Sequence, residues 1–163
     1  MNVTAEWRQG LSFTGTAGSG FTVPLVSGPE AGGPNDGFEP LELLALSLAG
    51  CTAMDVISIL EKKKQAVSAF EVKVHTRQAH EYPHVFTRAV ITYKVTGHNL
   101  QEHALLRSIE LSASKYCPVQ AMLGRVIPIE LIYEIYEHDE SGKPRLVKQG
   151  EYRPPPDQAT AMV

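Results

Sequence analysis

Leu43-Leu44-Ala45-Leu46-Ser47-Leu48-Ala49-Gly50-Cys51-Thr52-Ala53-Met54-Asp55-Val56 carries no charge over its first twelve residues and almost no β-branched or aromatic strand formers. Such a run reads as a buried helix. Pro40 suits the first helical position, with Glu39 as a poor cap and Glu42 at the third position, and the apolar pattern runs to about Lys64. Lys62-Lys63-Lys64 fits a solvated helix end, where positive charge suits the dipole. Between Leu43 and Val56 the helix is apolar on nearly all faces, so a sheet on one side leaves part of it wet. A second copy of the chain is the expected cover, making a homodimer. Bounded by Glu42 and Asp55, the run is shorter than the ~20 residues that span a bilayer and is expected to be core rather than membrane.

Upstream, Val3, Ala5 and Trp7 alternate with Thr4, Glu6 and Arg8, and Leu11 and Phe13 resume the alternation after Gln9-Gly10. This is a hairpin pattern. After Ala17-Gly18-Ser19-Gly20, Phe21, Val23 and Leu25 form a third strand, followed by a Gly- and Pro-rich loop over residues 27–37. Downstream, Val72, Val74 and Thr76, then Ala89, Ile91, Tyr93 and Val95, predict two long antiparallel strands about the Tyr82-Pro83 turn. Asn99 with Glu102 three residues on resembles a capping box. Leu105, Ile109, Ser112 and Tyr116 then share one helical face. Pro118 opens a short helix capped by Cys117 and closed by Gly124, and residues 127–136 are a last strand. The plan is α+β, with helices on mainly antiparallel sheets. A single domain over residues 1–137 and a polar, proline-rich tail over 138–163 are expected.

The 163 residues are 43% hydrophobic and 20% charged, with a formal charge of −3. Basic runs stop at three lysines, which argues against nucleic acid or an anionic membrane as the main partner. Met1-Asn2-Val3-Thr4-Ala5-Glu6 lacks the basic-then-apolar order of a secretory leader, so a cytoplasmic, reducing setting is expected. There two cysteines are not expected to form a structural disulfide. They are too few for zinc unless histidines join, and Pro83 breaks any helix that would align His80 with His84, so no metal and no cofactor are expected.

Cys51 and Cys117 are the only thiols. A helix N-terminus lowers a thiol's pKa, which makes Cys117 the more acidic of the two. If the sulfurs meet, one can become a sulfenic acid and the other close a disulfide. Glu42 precedes Cys51 by nine residues, on the opposite helical face, and suits the helix start. Asp55, four residues after Cys51, shares its face and disfavours a thiolate unless a cation joins. Arg8, Arg77, Arg88 and Arg125 are the candidate cations.

The segment from Pro40 to Val56 resembles the first cysteine segment of the OsmC/Ohr superfamily of osmotically induced and organic-hydroperoxide-resistance proteins, and Tyr116-Cys117-Pro118-Val119 resembles its second. The order of elements also matches, over most of the chain to about Glu137. The resemblance implies an OsmC-like fold in an intertwined homodimer, antiparallel sheets packed on two central helices, and a thiol peroxidase for organic hydroperoxides. Under it Cys51 attacks, Cys117 resolves, and dithiols such as dihydrolipoyl groups are suitable reductants. Where the hydroperoxide-resistance branch has a glutamate directly after the helix-opening proline, paired with an N-terminal arginine, this chain has Leu41, with Glu42 one residue later. Cys-Thr-Ala-Met-Asp-Val instead resembles a less characterised branch. Supporting roles therefore fall to Glu42, Asp55 and Arg8 as candidates. The alternatives are a non-enzymatic module of the same fold that binds a small molecule, and a redox sensor using the 27–37 loop.

Overall fold

The alternating stretches do become strands. In the computed structural model, which describes residues 1–154, the chain forms two units, Met1–Leu46 and the residues from Ser47 onward, where the sequence reading treats 1–137 as one domain. In the first unit β1 (Val3–Gln9), β2 (Ser12–Ala17) and β3 (Thr22–Val26) form an antiparallel sheet in chain order. Gly10 and Gly20 turn the chain at φ +54° and +82°, conformations a side chain resists. Residues 27–37 are not featureless: a 3-10 turn at Pro29–Ala31 lies among them, and Leu25 bridges to Phe38. Helix α1 (Pro40–Lys62) opens at the proline, and the Glu42 carboxylate accepts the Glu39 N–H at 3.0 Å, occupying an otherwise unpaired helix-start donor.

The second unit is a sheet in the order β4 (Ala66–Gln78), β5 (Phe86–His98), β6 (Ile129–His138), β7 (Pro144–Tyr152). Its outer pairs are antiparallel and β5–β6 is parallel. The parallel pair requires a crossover, made by α2 (Glu102–Leu111), a π turn at Ser112–Tyr116 and α3 (Pro118–Leu123). Alternate residues of β5, Ala89, Ile91, Tyr93 and Val95, are all buried. They pack with Leu131, Tyr133 and Ile135 of β6, Leu105 and Ile109 of α2, and Leu48, Val56 and Leu60 of α1. Leu48, Thr52, Val56 and Leu60 recur every fourth residue, which is the single face α1 buries.

Over 18 residues α1 reaches a mean hydropathy of 2.0 with 28% of the window buried, so by length and composition it matches a membrane-crossing helix, against the expectation drawn from its charge-free run alone. A core helix of a folded domain meets the same measure.

Three expectations are corrected. Residues 144–152, assigned to a polar tail, form β7; Pro144–Gln149 of this edge strand are all exposed, so its sequence lacks alternation there, and backbone pairing with β6 holds it while Tyr152 packs on the core. The rest of the proline run, Pro155-Pro156, lies outside the described residues. Asn99 does not cap α2. It sits at φ +51° and donates its N–H to Glu137, while the Glu102 carboxylate accepts from the Tyr133 hydroxyl and pairs with Lys148 of β7. Tyr116 leaves the apolar stripe and is 48% exposed, because the π turn adds a residue and shifts the helical register.

The bonds from Lys148 and Tyr133 hold the Glu102 carboxyl below its ordinary pKa of 4.5. A depressed carboxylate contributes stability that is complete above its unfolded value and is lost as pH falls through the folded one. Glu102→Gln should therefore lower stability by about 1 kcal/mol near neutrality. Urea titrations of variant and wild type should converge as the pH drops below the carboxylate range.

Candidate active site

Two elements of the second unit bring the thiols together. Cys51 sits on α1 one residue before the buried Thr52. Cys117 sits where the π turn ends, its N–H donating to the Ser112 carbonyl at 2.9 Å. The i−5 bond widens the last turn, and Pro118 then starts α3 with Cys117 in extended conformation as its cap, as its place before proline predicts. The cap is the thiol itself: Cys117 Sγ accepts the Gln120 N–H at 3.3 Å. Its sulfur lies 2.8 Å from Cys51 Sγ, with Cys117 as the donor of the pair. Both cysteines are free thiols, Cys51 half-buried and Cys117 only 2% exposed.

Burial decides the electrostatics of Cys117. It pushes the thiol up to about 12, with the Cys51 hydrogen bond acting the same way and the N–H groups of Gln120 and Val119 opposing both. The expectation that the helix end makes Cys117 the more acidic thiol is thus overturned: a buried sulfur lacks the water that would solvate its charge. Cys117 remains a proton donor to its neighbour, and the sulfur with a lone pair left to offer is that of Cys51.

Below the thiols runs a chain of hydroxyls. The Ser112 hydroxyl donates to Asp55 Oδ2 at 3.0 Å, so with its only proton used it accepts from Thr52 Oγ1, also at 3.0 Å. Thr52 in turn accepts from the Tyr93 hydroxyl at 2.7 Å. Every proton in the sequence Tyr93, Thr52, Ser112, Asp55 points toward the carboxylate. Burial raises Tyr93 well above the ordinary phenol range, and the nearby Cys117 and Asp55 add to this, so it stays a neutral donor. Asp55 lies four residues after Cys51, as the helical spacing requires, and its carboxylate is within 4.8 Å of both sulfurs.

Of the five site candidates the structure brings three together: Cys51, Cys117 and Asp55. Glu42 and Arg8 have partners within the first unit, Glu42 at the start of α1 and Arg8 with Glu6 and Thr14. Arg88 pairs with Glu130, which raises its pKa. Among the described residues, no arginine hydrogen-bonds either sulfur. Thr52, Ser112 and Tyr93 were missed as site residues. A serine inside the apolar stripe of α2 and a tyrosine among the inward residues of β5 were the available signals, since buried hydroxyls need partners.

Beside Asp55 a groove of about 390 Å³ is lined by Met54, Ile59, Leu111 and Tyr116, with Lys62 and Ser58 adding polar edges. Met54 is 68% exposed, whereas Leu48 on the same helix is wholly buried in the core. Beyond Cys117 a cavity of about 200 Å³ is bordered by Gln120, Ile127, Leu131 and Tyr152, and the buried Gln120 Oε1 has no hydrogen-bond partner.

An α+β fold of this topology carrying a helix-borne cysteine and a second cysteine at a proline-led helix start defines a known class. The chain belongs to the OsmC-like protein family, whose sequence profile matches residues 33–132. It is 35% identical over 135 residues to Protein YhfA of Escherichia coli strain K12, covering 83% of this chain and 98% of YhfA. A solved structure of a hypothetical protein from Aquifex aeolicus VF5 superposes with a TM-score of 0.74 at 25% identity, over 85% of this chain and 97% of that one. An organic hydroperoxide resistance protein from Elizabethkingia anophelis shares the fold alone, with a TM-score of 0.62 at 16% identity over 82% and 92% of the chains.

Thr52→Val removes the hydroxyl that joins Tyr93 to Ser112 while keeping the side-chain volume. With the buried Tyr93 hydroxyl losing its partner and Ser112 one of its two, stability should fall by about 1–3 kcal/mol, read from urea unfolding, and Thr52→Ser should restore most of it.

Proposed function

We propose that the protein is a thiol-dependent peroxidase acting on organic hydroperoxides, with Cys51 as the attacking thiol and Cys117 as the resolving one. The observation that carries this reading is the 2.8 Å approach of the two sulfurs. Cys51 Sγ attacks the terminal oxygen of the hydroperoxide; the O–O bond breaks, an S–O bond forms, and the thiol proton ends on the departing alcohol. Cys51 is then a sulfenic acid. Cys117 Sγ displaces that hydroxyl, which leaves as water with the Cys117 proton, and the disulfide closes. A dithiol reductant of lipoyl type returns both thiols and departs as its own disulfide. The organic hydroperoxide resistance protein that shares the fold supports the substrate class, and the apolar side of the Met54 groove suits an alkyl group beside Asp55.

The cycle needs a reducing compartment, and we assign the protein to the cytoplasm on that ground. The working unit is a homodimer: Leu44, Leu46 and Met54 leave α1 with 38%, 54% and 68% exposure, apolar surface that a partner subunit would cover. Sedimentation at micromolar concentration should give twice the mass of the chain; a single-chain mass at all concentrations contradicts this.

In the decisive kinetic test, Cys51→Ser should abolish turnover of cumene hydroperoxide with a dithiol reductant. Cys117→Ser should complete one oxidation and then stall, leaving a sulfenic acid that dimedone traps at Cys51. Full activity in Cys51→Ser would end the proposal.

A further inference from the structure

Cys51, Cys117 and Asp55 are also a donor set for a metal ion. Their two sulfurs and a carboxylate oxygen lie within 4.8 Å of one another. In a tetrahedral zinc site, with metal–sulfur bonds of about 2.3 Å and metal–oxygen bonds of about 2.1 Å, neighbouring donors are roughly 3.6–3.8 Å apart. The sulfurs, now 2.8 Å apart, need to separate by only about 1 Å. Side-chain rotation at the half-buried Cys51 can supply that.

The donors are supported from behind as metal ligands are. Asp55 Oδ2 accepts from Ser112, which Thr52 and Tyr93 hold in turn, and Cys117 Sγ accepts the Gln120 N–H. Such outer partners fix a ligand's direction. No histidine is needed for such a site. The third donor is instead the carboxylate that i, i+4 spacing places beside Cys51.

We propose that the reduced protein binds a single Zn²⁺ ion per chain through Cys51, Cys117 and Asp55. Two thiolates favour a soft or borderline ion, and the carboxylate oxygen favours zinc over Cu⁺. Each thiol gives its proton to water on coordination. Three protein donors leave one position of the tetrahedron for water or a small ligand. The disulfide form has no thiolate to offer, so binding belongs to the reduced state. This inference does not rest on the peroxidase reading, because it concerns the dithiol before any oxidant arrives.

The test uses the full chain, fully reduced and free of oxygen, titrated with Co²⁺ as a spectroscopic probe. A thiolate-to-cobalt charge-transfer band should saturate at one ion per chain and vanish on adding Zn²⁺. The same protein with its disulfide closed should show no band. Asp55→Asn should weaken binding at least ~10-fold, and Ser112→Ala by about 10-fold through loss of ligand orientation. Should either variant fail to fold, alkylation of the wild type decides: Zn²⁺ should protect both cysteines from N-ethylmaleimide. No band in the reduced wild type, unchanged affinity in a folded Asp55→Asn, or a Cys51 left unprotected by Zn²⁺ would overturn the proposal.

Discussion

The hydroxyl of Thr52 is the joint on which the site depends. It is wholly buried and bonds at once to Tyr93 of β5 and Ser112 at the start of the π turn, so one atom ties the central helix, the middle of the sheet and the end of α2. Cys51 precedes Thr52, and Cys117 follows Ser112 by one π turn. The meeting of two sulfurs from distant parts of the chain thus follows from a polar contact, supported by the Leu48, Val56 and Leu60 face of the same helix. A buried polar network of this kind holds its members in place only when each one is paired, and here each is.

The asymmetry between the thiols comes from a contest with a clear winner. A helix terminus contributes about 0.3–1 kcal/mol to a charge placed on it, less than the 1.36 kcal/mol of one pKa unit. Burial carries Cys117 from 9.0 to about 12. Cys117 therefore remains protonated and hydrogen-bonded to Cys51. This favours the division of labour that the family resemblance implies, by a route opposite to the helix-end argument.

Much of the architecture was legible because it rests on periodicity. The proline-led central helix, the first three strands, the alternation along β5 and the Cys117 cap before Pro118 all follow from local rules. What stayed hidden depends on partners remote in sequence. Glu102 fits a capping box by spacing, yet Tyr133 and Lys148 claim its carboxylate once the sheet forms. β7 has no apolar alternation over Pro144–Gln149 because both faces are exposed there and the pairing is a backbone matter. The π turn, which displaces Tyr116 and positions Cys117, leaves no mark in the pattern of side chains. At the site, the two cysteines and the i, i+4 placement of Asp55 were readable. The Ser112 and Tyr93 contributions required the fold.

Membership of the OsmC-like family accounts for the scaffold. At the site a carboxylate, Asp55, lies within 4.8 Å of both sulfurs and accepts from the Ser112 hydroxyl, which Thr52 and Tyr93 hold in turn. The most direct measurement is peptide mapping by mass spectrometry after the reduced protein meets one equivalent of an organic hydroperoxide. The account predicts a Cys51–Cys117 disulfide within a single chain as the main product. A stable sulfinic acid at Cys51 beside an unmodified Cys117, or no oxidation at either sulfur, would contradict it.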